Sequence, residues 1–291
     1  MRSPDGGIGR RAGLKHQWIH FHAGSIPALG TEKAPQVIVE LFLFLHIRMK
    51  TKRKIKKYIT KGIRKVRYRK GFGVHSPFAY SLITQVIGEQ APFYAYEEIL
   101  QLKKKYSPVT AILPKFVSRR MPSTKQLFLL YRLVNRFNPQ YLLEIDNHGG
   151  LVSYVMGLPN TQSEVISIGN DPEKIQRSRE LFQHEKPHNG RFVEASLAEG
   201  LRQLPADYKA DFVYIHASAA KQADEVFGLL MKHVHSHTVV VMEGIKADKE
   251  VRRLWNYFRY APGVRVSMDL YEIGVAIFND RLYKQHYIVS F

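Results

Sequence analysis

No cysteine occurs among the 291 residues. That excludes disulfides, thiolate metal sites and cysteine nucleophiles, and it suits a reducing cytoplasm. Long apolar runs are missing as well. The closest approach, Val37 to Ile47, falls short of the ~18–20 residues a membrane-spanning helix needs and is broken by Glu40 and His46. No internal repeat is apparent. Acidic side chains are scarce at one end. Residues 1–70 hold 18 Lys/Arg against Asp5, Glu32 and Glu40, a net +15, whereas the remainder holds 26 basic and 22 acidic side chains, a net +4. The basic balance of the chain therefore describes a tail, not a whole binding face.

What is present divides into four stretches. Residues 1–48 scatter Gly, Arg, His and Pro without period and lack the order of a signal peptide. They read as a disordered or non-native extension, with Met49 as the start. Residues 49–72 read as a basic helical segment, with Ile55, Ile59, Ile63 and Val66 at helical spacing among 12 Lys/Arg. Such a helix suits RNA, an anionic membrane surface or an acidic partner, or docks its apolar stripe on the body. Residues 73–138 read as a helical lead-in. There Ser76 caps and Pro77 opens a helix whose Phe78, Leu82, Ile83, Val86 and Ile87 share one face. Further helices are expected over Tyr94–Lys105 and Ser123–Phe137, the latter closed by Pro139.

Residues 139–291 alternate. Strands are expected at Tyr141–Ile145, Glu164–Ile168, Arg191–Glu194, Asp211–Ile215, Thr238–Met242, Val264–Asp269 and Ile273–Phe278, with helices between the first six. Alternation of this kind implies crossover units and a parallel sheet covered on both faces. Only Leu270, Tyr271 and Glu272 separate the last two strands, so these pair antiparallel. The expectation is an α/β, Rossmann-like sheet of seven strands with Ile273–Phe278 reversed.

The stretches KGFGVHSPFAYSLITQVI, LVNRFNPQYLLEI, VISIGNDPEK, DFVYIHASAA, DKEVRRLWNYFRYAPGVRVSMDLYEIGVAIF and KQHYIVSF together resemble a family of bacterial class I S-adenosylmethionine-dependent methyltransferases over about residues 49–291. The resemblance implies a methyltransferase of unknown acceptor with S-adenosylmethionine as cofactor. It also implies that the apolar C-terminal tail packs back on the body.

The cofactor positions depart from that family. In LLEIDNHGG the chain keeps Glu144 and Gly150 but places Asp146 where a glycine lets the backbone approach the ligand. Gly169 stands where an acid accepts the ribose hydroxyls, with Asp171 two residues later; Ser196 stands near the adenine position. After the fourth and fifth strands, His216-Ala217 and Met242-Glu243 replace Asp-Gly and Asp-Asp. The candidate cofactor-binding set is thus Glu144, Asp146, Gly150, Asp171 and Ser196. The candidate catalytic residues are His216, as a base at the end of a central strand, and Glu243. No metal is expected: His233, His235 and His237 in HVHSHT lack a completing ligand and suit a helix C-terminus. Relaxed cofactor binding is one consequence of these departures. A non-catalytic scaffold that meets RNA or an anionic surface through its basic segment is the alternative.

Overall fold

Alternate residues along each strand face opposite sides, and here both sides are apolar, as a sheet covered on two faces requires. A computed structural model describes residues 55–68, 71, 73–106, 121–185 and 189–291. The expected extension 1–48 and residues 49–54, 69, 70 and 72 of the basic segment lie outside the described residues. Tyr58–Phe291 form one compact unit, and of the residues before it only 55–57 are described.

The lead-in begins with helix α1 (residues 55–67) and α2 (Pro77–Ser81). Ser76 caps α2 by accepting from Ala79 N at 3.3 Å, with Pro77 behind it. α2 widens into a π-helical turn, Leu82–Ile87, whose Leu82, Ile83, Val86 and Ile87 are buried. Buried Arg132 donates to the Val86 carbonyl at 2.6 Å and the Ile87 carbonyl at 3.3 Å, satisfying acceptors that the wide turn leaves over. α3 spans Ala95–Tyr106 and α4 Thr124–Phe137. α4 opens on a Ser123/Gln126 capping box and ends at Asn138, whose left-handed φ of 44° precedes Pro139.

The sheet comprises β1 (Tyr141–Ile145), β2 (Glu164–Gly169), β3 (Asn189–Glu194), β4 (Phe212–Ile215), β5 (Val239–Glu243), β6 (Val264–Asp269), β7 (Ile273–Phe278) and β8 (Gln285–Ile288). Its order is β3-β2-β1-β4-β5-β7-β6-β8. The first five strands are parallel, and β7 runs antiparallel between β5 and β6. Leu142, Val165, Phe212, Tyr214, Val239 and Val241 face α2–α5. Leu143, Ile145, Ile166, Ile168, Val213 and Val240 face the other side, with α7 (Leu197–Arg202), α8 (Ala223–Leu230) and α9 (Lys249–Tyr260). α5 (Leu151–Gly157) and α6 (Pro172–Glu185) follow β1 and β2.

Two expectations change. The sheet has eight strands, not seven, because the tail pairs parallel with β6 from Val266–Gln285 to Asp269–Ile288. The apolar stripe of α1 does not dock on the body. The helix turns its basic face inward: Arg64 donates to the Asp269 carboxylate at 2.8 Å and Lys61 to Glu272 at 3.0 Å. Both cations lie over the Tyr271 ring, at 5.2 and 5.7 Å. Ile59, Ile63 and Val66 are exposed.

Gly274 of β7 passes directly under Trp255 of α9. A Cβ there would lie 2.5 Å from the indole ring, which is buried and has nowhere to move. Gly274→Ala is therefore expected to destabilise the fold by about 1–3 kcal/mol through overpacking. The check is the urea midpoint at constant slope; an unchanged midpoint would mean that α9 yields without strain.

Candidate functional site

β1, β4 and β5 are parallel neighbours, so Glu144, His216 and Glu243 converge at their C-terminal ends, where open α/β sheets hold ligands. His216 is fully buried. Its Nε2 lies 2.7 Å from Glu144 Oε1 and its Nδ1 3.2 Å from Glu243 Oε1. Both ring nitrogens face carboxylate oxygens, so the imidazole is doubly protonated. Burial opposes that charge, but Glu243 and Glu144 overcome the opposition and raise the His216 pKa to about 10. Burial would likewise raise both carboxyls, yet His216 holds Glu144 and Glu243 below the usual carboxylate range. Glu144 Oε2 also accepts from Ser153 of α5 and, at 2.7 Å, from Ser167 of β2. Tyr214 donates to Glu243 Oε2 at 3.1 Å.

The β1–α5 loop lies against this cluster. Asp146, Gly149 and Gly150 all have left-handed φ, at 71°, 91° and 84°. A Cβ on Gly150 would meet the Ser178 backbone at 2.8 Å, so glycine is obligatory there. Asp146 keeps the backbone conformation of a glycine while carrying a side chain. Asn147 is buried: Nδ2 donates to Ser167 Oγ at 2.6 Å, and Oδ1 accepts from Gly149 N at 2.8 Å and lies 2.9 Å from Ser178 Oγ. It packs on the end of β2 so closely that a Cβ on Gly169 would lie 2.9 Å from its own. His148 stacks on His216 with ring centroids 4.1 Å apart. Burial and the neighbouring His216 charge lower its pKa to about 4, so it is neutral. Its Nδ1–H donates to the Asp146 carbonyl at 2.7 Å, and Nε2 is a buried acceptor with no partner.

The structure thus brings Glu144, His216 and Glu243 together, with Asp146 and Gly150 on the adjoining loop. Asp171 and Ser196 serve helices instead. Asp171 faces Lys174, with its carboxylate 3.1 Å from Nζ and 3.4 Å from the backbone N at the start of α6, and exposed Ser196 caps α7 through Glu199 N at 3.2 Å. His233 bonds the Tyr208 and Leu201 carbonyls, and His235 bonds Asp211 at 3.0 Å. Among the described residues no group of three or more potential ligands could hold a metal ion. Sequence reasoning missed Asn147, Ser153 and Tyr214. Ser167, a polar residue inside the apolar run of β2, was the one available signal. A cleft of 430 Å³ opens beside Glu243, lined also by Met121, Gln126, Ala217, Ser218 and Gly244.

No protein-family model matches the chain, and no curated protein does. Solved structures do. The SAH-bound methyltransferase PaMTH1 of Podospora anserina is similar with a TM-score of 0.53 and 13% identity, over 71% of this chain and 97% of that one. The O-methyltransferase of Bacillus cereus in complex with SAH gives 0.50 and 16%, over 68% and 97%. At these identities the likeness establishes the fold, a Rossmann-like methyltransferase fold.

Two outcomes are expected. Asp146→Gly relieves a left-handed non-glycine residue and should stabilise the protein by about 1 kcal/mol, read as a higher urea midpoint. A lower midpoint would show that the carboxylate does structural work. The clamp also has a pH signature. The raised His216 pKa means that its stabilisation is complete below pH 6.5 and lost as pH rises through about 10. The lowered Glu144 and Glu243 contribute above about pH 4.5 and lose their contribution below it. The urea midpoint should therefore be highest between those limits and decline toward pH 10. In His216→Gln that alkaline decline should flatten; an equal decline in the variant would place it in other groups.

Proposed function

We propose that the chain is an S-adenosylmethionine-dependent methyltransferase whose hold on its cofactor is weakened. The observation that carries this reading is the β1–α5 loop. It retains left-handed backbone at Asp146, Gly149 and Gly150 at the C-terminal end of β1, while Asn147 occupies the space beside Gly169. The backbone of residues 146–150 suits a close-approaching ligand. The ribose end fits poorly: Gly169 has no acceptor, Asn147 stands over it, and Asp171 and Ser196 are engaged as caps. That the similar proteins from Podospora anserina and Bacillus cereus are SAH-bound supports the cofactor class. That the second is an O-methyltransferase supports a hydroxyl acceptor.

A sulfonium cofactor supplies an electrophilic methyl group, so the protein's part is to orient a nucleophile and exclude water. His216 is not suited to act as a base, because both ring nitrogens are protonated, each facing a carboxylate, and its ring is sealed from solvent. Glu243 borders the 430 Å³ cleft, but His216 keeps its basicity low. Glu243 at the rim of the cleft, held by His216, acts as a positioning group; proximity orients the acceptor hydroxyl, whose proton passes to solvent at the cleft mouth as the methyl is transferred.

Isothermal titration tests the reading. Loss of a charge-assisted hydrogen bond to the ribose weakens binding by roughly one to two decades, so Kd for S-adenosylmethionine should exceed about 100 μM. The change the sequence alone suggests, Asp146→Gly with Gly169→Glu, is expected to bring no gain, since the new side chain meets Asn147. Adding Asn147→Gly should tighten binding about tenfold. Low-micromolar binding by the unaltered protein would overturn the weakened hold. No binding by either protein would overturn the methyltransferase reading and leave the non-catalytic scaffold.

A further inference from the structure

The exposed face of α1 is a feature that the candidate site does not use. At 3.6 residues per turn, Tyr58, Ile59, Gly62, Ile63 and Val66 fall within an arc of about 140°, with Lys65 and Arg67 on its two edges. The opposite face holds Lys61 and Arg64, the residues that fasten the helix to the β6–β7 turn. The apolar arc is therefore turned away from the body by construction. Tyr58 is 72% exposed, Ile59 58%, Ile63 58% and Val66 82%. A contiguous exposed apolar surface of this kind marks a docking site. The sequence from Met49 to Lys70 contains 12 Lys/Arg and no acid, and exposed Lys65 and Arg67 flank the arc.

We propose that α1 binds in the plane of an anionic lipid bilayer, its apolar arc entering the headgroup boundary and its rim cations pairing with lipid phosphates. The chemistry separates this occupant from others. A nucleic acid would use the cations but has no use for unstacked isoleucine and valine side chains, whereas an anionic bilayer uses both. A second copy of the chain would bring the same cationic rim against itself. No helix among the described residues is long and apolar enough to cross a membrane. The ion pairs of Arg64 and Lys61 set the arc's direction, and the pairing of Arg64 with buried Asp269 holds it fixed.

Flotation of the full chain with phosphatidylcholine vesicles, with and without 30% phosphatidylglycerol, tests this. The protein should float with the anionic vesicles alone, more weakly at high salt. Ile59→Ser/Ile63→Ser, two exposed positions whose change leaves the core intact, should lower the partition coefficient by at least about tenfold. The same variant should bind single-stranded RNA no differently from the parent. Failure to float, or floating unchanged in the variant, would overturn the proposal. So would a dimer of the parent that the variant dissolves, which would assign the arc to a second copy.

Discussion

A buried, protonated imidazole held between the buried Glu144 and the half-buried Glu243 is the constraint around which the C-terminal edge of the sheet is arranged. Removing one partner of such a set leaves an uncompensated buried charge, at a cost of about 3–5 kcal/mol, so the three residues stand or fall together. Glu144 draws in Ser153 from α5 and Ser167 from β2, Glu243 draws in Tyr214, and His148 stacks on the imidazole. Four adjacent parallel strands and the first helix after them are thereby tied at the edge where a ligand would enter. The charges that an active site would direct at a substrate are directed at one another.

That arrangement explains why the space beside Gly169 is filled. Ser167 points its hydroxyl at Glu144 and so offers Asn147 an acceptor. Once Asn147 is held there, β2 must end in glycine, because any side chain would strike it. The glycine at 169 and the seating of Asn147 are therefore one structural feature, not two. Asp146 adopts the left-handed backbone that glycine favours while carrying a side chain.

The fold was largely legible in the sequence, because period-2 apolar runs, helix caps and a three-residue link each act locally. β1, β6 and β7 fall at their expected limits, and Ser76, Ser123 and Pro139 mark the helix ends they were expected to mark. The site was legible only as separate residues. Glu144, His216 and Glu243 each stood out, but 72 and 27 positions separate them, and nothing local states that they form one cluster. The orientation of α1 was left open between docking and exposure for the same reason. Its apolar spacing is evident, but the partners that turn it over, Asp269 and Glu272, lie about 200 residues away. The eighth strand was hidden because the pattern of Gln285–Ile288 is polar and short, and its pairing depends on β6 having a free edge.

That eighth strand bears on when the sheet becomes safe. β6 receives β7 on one side as soon as the hairpin closes, but its other edge stays unpaired until the chain loops past it and returns through residues 279–284. Val266 and Met268 then lie on a strand with bare amide and carbonyl groups, the pattern that recruits strands from neighbouring molecules. Closing it with four half-buried residues, Gln285–Ile288, replaces a long sticky margin with a short one. The tail is thus a selvedge, and the interval before it is laid down is the moment at which folding and aggregation compete.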